Sequence, residues 1–491
     1  PLSFLDHHMK AGNSLIGGQV QEVQDALSRD LFGNQFAGLL SATSLMQEVG
    51  KLSDITVAQV SASRSTYRQA YDALAPFKRL LDVWISEYFA NKGAQRTASL
   101  YAGAIVAHDY GKTNLVDRKA IETALSLSSA KRFFHWELEF PEVFYNETQR
   151  KPDGGFDAVI GNPPYGRYDM LDEGSKAFIR QDNLCFGSAD LSEAFMDKAC
   201  RLSKSNKTGL VVPKVFTYVT NWDKIRELLT KKGVSFIADV SQAFEDVLYE
   251  QVIYGTGQLD GSVGTAICQV VDEAIKQTHI LPIGSLSKDF FPLYFTESSF
   301  KTWDKIKKAS VQLGQVYDYW YGKGGAVPKL TTKPTEYKVV QGRDIARYTE
   351  HYDPSVNLLS KDVSATEKEL AQRTKIILQD IVAHVTKPYP HIILMATVDE
   401  EKRVALNTVT CCSSKPGSKY ELNYLLALLN SLSSSWYVYH FTYNCAIRTM
   451  HFMPGYVNRT PIRRINFTTP EKERAGLVEE LKEMYREGLE G

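Results

Sequence analysis

Residues 156–165 read FDAVIGNPPY. An apolar run ends in glycine and passes directly into Asn162, Pro163, Pro164 and Tyr165. Two consecutive prolines donate no backbone hydrogen bond and hold φ at about −65°, so neither strand nor helix continues through them. The corner is stiff, and it fixes an amide side chain, backbone carbonyls and an aromatic ring in one arrangement. That set suits a particular chemistry. An exocyclic amine on a purine is a poor nucleophile, because its lone pair is delocalised into the ring. Two acceptors on its two N–H bonds turn the lone pair towards an incoming methyl group. The Asn162 side-chain carbonyl and the Pro163 backbone carbonyl are the candidates, with the Tyr165 ring stacked on the base for about 1–3 kcal/mol. Alignment of the reacting atoms then supplies on the order of 7–11 kcal/mol, with no need for a metal or a perturbed general base. A base inside a duplex must be flipped out to reach such a corner. The plain alternative is a Pro-rich turn after a strand. The strand before it, Asp190-Leu191 opening the next helix, and the aromatic-bearing turn SQAFEDVLYEQV favour the chemical reading.

The elements that position the corner are legible as strand–helix alternation over residues 131–275. FDAVIG reads as a short buried strand, and SADLSEAFMDKACRLSK as an amphipathic helix with Leu191, Phe195 and Met196 on one face. TGLVVPK is another buried strand. NWDKIRELLTKKG is a helix with Asn221 as N-cap and Gly233 just past its end. VSFIADVS, LYEQVIYGT and TAICQVV read as strands. The pattern predicts a largely parallel sheet with an antiparallel pair at its end, and ligands beyond the carboxyl ends of the strands. Residues 1–20 read as a strand and its loop. Residues 21–130 read as mostly helix, without recognisable chemistry. A boundary falls at 276–312. Beyond it the chain is Gly-, Pro- and Tyr-rich with short strands, and residues 468–488 read as a helix starting near Pro470.

Lys plus Arg equals Asp plus Glu at 57 each, so only local patches can argue for a nucleic-acid partner. The six cysteines form no C-x-x-C pair and read as reduced thiols of a cytoplasmic protein. Apolar runs stay short of a membrane span and no signal peptide is legible. The opening PLSFLDHH lacks a Met and reads as the middle of a structured segment, as in a fragment of a longer protein.

FHWELEFPEVF, GFDAVIGNPPYGRYD, SADLSEAF and GLVVPKVF, in that order, closely resemble the adenine-specific DNA methyltransferases of restriction–modification systems, of the Taq-type and type IIG kind. FLDHHMKAGNSLIGG resembles them too; the helical block at 21–130 stands outside the resemblance. It implies an α/β fold: a partial Rossmann-like methyltransferase sheet with a helical insertion, plus a mixed α+β C-terminal target-recognition domain. The implied division is partial core 1–20, insertion 21–130, catalytic region 131–275, linker 276–312, and recognition domain 313–491 with its C-terminal helix. The implied cofactor is S-adenosylmethionine and the implied partner double-stranded DNA. Asn162, Pro163, Pro164 and Tyr165 would hold the flipped adenine, and Phe244 would stack on its other face. Asn13 and Asn162 would touch the cofactor, although the family often has Asp at the position of Asn13. The family's Gly-rich cofactor loop is absent from this sequence. That implies an incomplete cofactor site, a chain inactive alone, and a nuclease domain or partner subunit upstream.

Arg448, Arg459, Arg463 and Arg464 lie in an acid-free stretch interleaved with Tyr443, Phe452 and Tyr456, which suits DNA phosphates and bases. A basic surface loop is the plain reading. YGKGGAVPK lacks the phosphate-loop pattern, His7-His8 has no partners at metal spacing, and Arg343-Asp344 is either a DNA contact or an internal salt bridge. Cys411-Cys412 read as strand residues. Two rivals stand beside the adenine reading. One is methylation of RNA or of a protein glutamine; the other is a non-catalytic DNA-recognition module.

Overall fold

A computed structural model describes residues 7–26, 29–51, 55–166, 168–183, 186–244, 249–257, 264–323, 330–349, 351, 356–382, 384–447, 450–464, 476 and 479. The chain divides into two compact units. The first comprises Pro1–Pro213, Asn221–Val240 and Gln251–Ile280; the second comprises Lys214–Thr220, Ser241–Glu250 and Leu281–Gly491.

The first unit holds the corner. Its sheet is built from β1 (Val159–Gly161), β2 (Thr208–Pro213), β3 (Val234–Ser241), β4 (Gln251–Thr256), β5 (Gly264–Val271) and β6 (Ala274–Pro282), in the order β1-β2-β4-β3-β5-β6. β1 runs parallel to β2 and β3 parallel to β5, but β2 and β4 are antiparallel. The sheet is therefore mixed through its middle, where the sequence predicts a parallel sheet with its antiparallel pair at the end. The cause is β4, which folds back between β2 and β3. An apolar strand buried on both faces reports burial and not direction. β1 also differs from expectation. It has one neighbour in the described sheet, so Ile160 is 84% exposed where a buried strand was predicted.

The helices follow their apolar spacing. Leu191–Leu202 buries Met196 and is capped by Asp190, which accepts from the Ser192 N–H. Asp223–Lys232 ends at Gly233, whose φ of 81° suits glycine. Its start differs: Thr220–Trp222 forms a 3-10 turn, Trp222 takes the N-cap place with no side-chain cap, and Asn221 does not cap.

Residues 20–131 are mainly helical, as their spacing predicts. The long helix Val57–Ser86 starts at a capping box between Thr56 and Gln59 and buries Leu74, Phe77, Leu80, Leu81, Val83 and Ile85. Each such side chain contributes about 1.5–3 kcal/mol on leaving water.

The opening segment forms no strand among the described residues. It makes one parallel bridge, Asn13 to Phe133, and otherwise wraps residues 132–137. Asn13 N–H donates to the Arg132 carbonyl at 2.8 Å, and Phe134 N–H to the Ile16 carbonyl at 2.8 Å. Gly18 N–H donates to His135 Nδ1 at 3.0 Å, Val20 N–H to Glu137 Oε2 at 2.8 Å, and Trp136 Nε1 to the Ser14 carbonyl at 3.0 Å. With Nδ1 accepting, His135 Nε2 carries its proton and donates to Asp82 Oδ1 at 3.0 Å, on the long helix. The phrase FHWELEF is thus a clasp between the opening segment and the helical block. A Cβ on Gly17 would lie 1.8 Å from the Phe134 carbonyl oxygen, so the clasp admits only glycine there.

In the second unit, Ala396–Asp399, Lys375–Gln379, Val409–Ser414 and Tyr317–Tyr321 form an antiparallel sheet in that order. Cys411 and Cys412 are buried strand residues, as read. Asp399 is buried between Lys375 Nζ at 2.6 Å and Arg403 Nε at 2.9 Å. Residues 276–312 include the end of β6 and the helix Glu297–Ala309. The predicted C-terminal helix, with Pro470, lies outside the described residues except for positions 476 and 479. Cys200, Cys268, Cys411, Cys412 and Cys445 are free thiols. Among the described residues no helix is long and apolar enough to cross a membrane.

Gly17→Ala is expected to lower the urea unfolding free energy by about 1–3 kcal/mol, the usual result of overpacking. An unchanged midpoint would contradict the clasp.

Candidate active site

β1 delivers the corner. Its register, Val159 opposite Thr208 and Gly161 opposite Leu210, makes β2 the strand beside which residues 162–165 emerge. Pro163 is buried, Asn162 and Pro164 are exposed, and Tyr165 is half-buried. The Tyr165 hydroxyl lies 3.0 Å from Asn162 Oδ1 and 3.3 Å from the Val211 carbonyl. It has one proton, so it donates to one of two acceptors. One choice orients the carboxamide and the other grips β2. Burial, and then the charge of Asp190, push the Tyr165 phenol above its ordinary range, so it stays a neutral donor.

The acceptors needed for an amine are open. A carbonyl oxygen has two lone pairs. Asn162 Oδ1 uses at most one of them for Tyr165, and the Pro163 carbonyl has no hydrogen bond among the described residues.

The exit from the corner is tied to the helix that follows, since Leu191 N–H donates to the Gly166 carbonyl at 3.4 Å. Glu193, fully buried, steadies that helix start. Its Oε2 accepts from Gly187 N–H at 2.8 Å, Ser188 N–H at 2.7 Å and the Ser188 hydroxyl at 2.7 Å. Burial raises its carboxyl pKa, against those donors. The sequence reading did not single out Glu193, although the D-x-x-E spacing from Asp190 is the signature of a capping box.

Asn13 is half-buried, and its Oδ1 accepts from Leu15 N–H at 3.2 Å. Its Nδ2 has no partner among the described residues. Phe244 follows β3 in sequence and is 41% exposed.

The basic stretch of the second unit is only partly a surface. Tyr443, Phe452 and Tyr456 are core residues, not exposed rings for bases. Arg448 lies outside the described residues. Arg459 is engaged locally: Nε donates to the Gly455 carbonyl at 3.2 Å and the guanidinium lies over the Tyr456 ring. Arg464 donates from NH1 to the Lys308 carbonyl at 3.4 Å. Arg463 is exposed on the strand Pro461–Arg463, and its side chain has no hydrogen bond among the described residues. For Arg343-Asp344, Nε and Oδ1 are 3.8 Å apart, while Asp344 Oδ2 accepts from Gln341 N–H at 2.8 Å. Among the described residues no group of three or more His, Cys, Asp or Glu could hold a metal.

Residues 44–244 match the Eco57I restriction-modification methylase family, and residues 337–462 match the TaqI-like C-terminal specificity domain. The first match begins inside the helical block at 21–130, so the likeness to the family extends into that block. A protein of Methanocaldococcus jannaschii, named as a type II restriction enzyme and methyltransferase, is 27% identical over 157 residues, 31% of this chain and 12% of that protein. Two solved structures align at low similarity. The type IIG restriction endonuclease BpuSI covers 87% of this chain and 65% of its own, with 11% identity and a TM-score of 0.27. The type IIL restriction-modification enzyme MmeI, in complex with DNA, covers 74% and 55%, with 12% identity and a TM-score of 0.37. The chain thus spans 12% of the length of its curated relative and no more than 65% of these two solved chains.

Tyr165→Phe is expected to change global stability by no more than about 0.5–1.5 kcal/mol, the net worth of one hydrogen bond. Amide exchange at residues 165 and 166 should nevertheless accelerate. Unchanged exchange there would show that the hydroxyl does not hold the corner.

Proposed function

From a chain that carries an Eco57I restriction-modification methylase domain and a TaqI-like specificity domain, we propose a site-specific DNA methyltransferase. It moves a methyl group from S-adenosylmethionine to N6 of a flipped-out adenine, within a restriction–modification or related phage-defence system. The observation that carries this reading is the pair of open acceptors, Asn162 Oδ1 and the Pro163 carbonyl, fixed by Pro163-Pro164 and by the Tyr165 hydroxyl.

The corner binds and orients. Asn162 Oδ1 and Pro163 O accept the two N6–H bonds, which turns the lone pair out of conjugation. Tyr165 stacks on one face of the base. Pro164 cannot donate a backbone hydrogen bond that would compete for these acceptors. One of the two N6 protons leaves after transfer.

Asn13 would meet the donor's adenine: it is half-buried at a bridge, and its Nδ2 has no partner among the described residues. Asn162 lies beside the reacting atoms. When bound, S-adenosylmethionine supplies the activated methyl group. Residues 313–491 serve target recognition, with Arg448, Arg459, Arg463 and Arg464 meeting the DNA; the Arg463 side chain has no hydrogen bond among the described residues.

Transfer of tritiated methyl from S-adenosylmethionine into unmethylated duplex DNA tests this. Asn162→Ala is expected to lower the rate about 100-fold or more, the cost of misplacing a reacting atom, while DNA binding is kept. An equal rate in the variant would remove the corner from the mechanism.

A further inference from the structure

His451, in the second unit, is held rigidly and half of its ring is left in water. It ends the strand Met450–His451, which pairs antiparallel with Ile381–Val382. The buried Tyr443 donates its hydroxyl to the His451 carbonyl at 2.8 Å. The ring is held as well, with Nδ1 2.8 Å from Oδ2 of Asp380. A carboxylate accepts, so Nδ1 carries the proton in either charge state of the ring. The Tyr321 hydroxyl lies 3.1 Å from the same oxygen and also meets the Asn407 carbonyl, so its one proton serves one of the two. Asp380 is 0% exposed, and its Oδ1 has no hydrogen-bond partner among the described residues. The His451 side chain keeps 53% exposure, and its Nε2 bonds to nothing among the described residues.

This arrangement is costly for a merely structural contact. A buried carboxylate needs its hydrogen bonds satisfied, yet this one has an unused oxygen and binds a ring that stays half in solvent. Fixing that ring costs side-chain entropy with little burial in return. The same features suit preorganisation of Nε2 for a ligand.

We propose that His451 Nε2 reads a base edge of the DNA target and that Asp380 positions it. The proposal rests on the DNA-recognition reading of this unit. Charge separates base readout from a phosphate contact. If the ring is neutral, the His451–Asp380 couple carries a net negative charge; if the ring is protonated, the couple carries none. In neither state does it add the positive charge that releases counterions from phosphates. With Nδ1–H committed to Asp380, the neutral ring presents Nε2 as an acceptor. Its complements in the major groove are the amino groups of adenine and cytosine.

The test selects bound duplexes from a randomised pool with the full chain, His451→Ala and Asp380→Asn, and measures binding against salt. The wild-type chain is expected to yield a consensus. His451→Ala should lose about tenfold in discrimination at one base pair, keep the other positions, and leave the salt slope unchanged. Asp380→Asn should weaken the same position. His451 is a surface residue, so its variant tests the idea even if Asp380→Asn does not fold. An unaltered consensus for His451→Ala, with or without a lower melting temperature, would overturn the proposal and leave recognition by the unit intact. So would uniform weakening with a shallower salt slope, which marks a phosphate contact. A wild-type chain that selects no consensus would overturn the recognition reading, and the role of His451 with it.

Discussion

The parallel pairing of β1 with β2 is the constraint on which the candidate site depends. Pro163 and Pro164 end β1 and supply no donor of their own, so the corner takes its direction from three residues before it. β2 then acts twice. It sets the register through Val159 and Thr208, and it offers the Val211 carbonyl to the Tyr165 hydroxyl. The bridge from Phe156 to Ser203 and the bond from Leu191 to Gly166 hold the approach and the exit. The loop is stiff because backbone donors are removed at its centre and bonds are made at its margins.

Buried carboxylates do the joining elsewhere. Glu137 takes Val20 N–H and the Tyr145 hydroxyl on one oxygen and Arg150 on the other. Asp399 takes Lys375 and the Arg403 N–H on one oxygen and Arg403 Nε on the other. Each draws together segments distant in sequence, and each is satisfied at both oxygens, which offsets the desolvation of the charge. Asp380 is built differently. A half-exposed histidine bonds one of its oxygens, with the Tyr321 hydroxyl beside the same atom, and the other oxygen has no partner among the described residues.

Much of this was legible in the sequence because it is local. The Asn-Pro-Pro-Tyr corner, the helix Leu191–Leu202, β2 to β5 and the helical block all declare themselves through proline chemistry and periodicity. The order of the strands did not, because β4 pairs with β2 through backbone bonds that its buried apolar run does not encode. The opening segment read as a strand because its residues are apolar, but its backbone bonds go to Arg132, Phe134 and His135. Tyr443, Phe452 and Tyr456 alternate with arginines along the chain but point into the core, a distinction that only packing makes. Asp380 and His451 lie 71 residues apart, and no spacing rule connects them.

In the proposed function, the corner presents its acceptors to an exocyclic amine and not to a ring carbon. The most direct measurement digests duplex DNA, after incubation with the protein and S-adenosylmethionine, to nucleosides and identifies the methylated one by mass spectrometry. The expected product is N6-methyladenine. A methyl group on carbon 5 of cytosine would contradict it, because that position has no N–H bonds for Asn162 and Pro163 to accept.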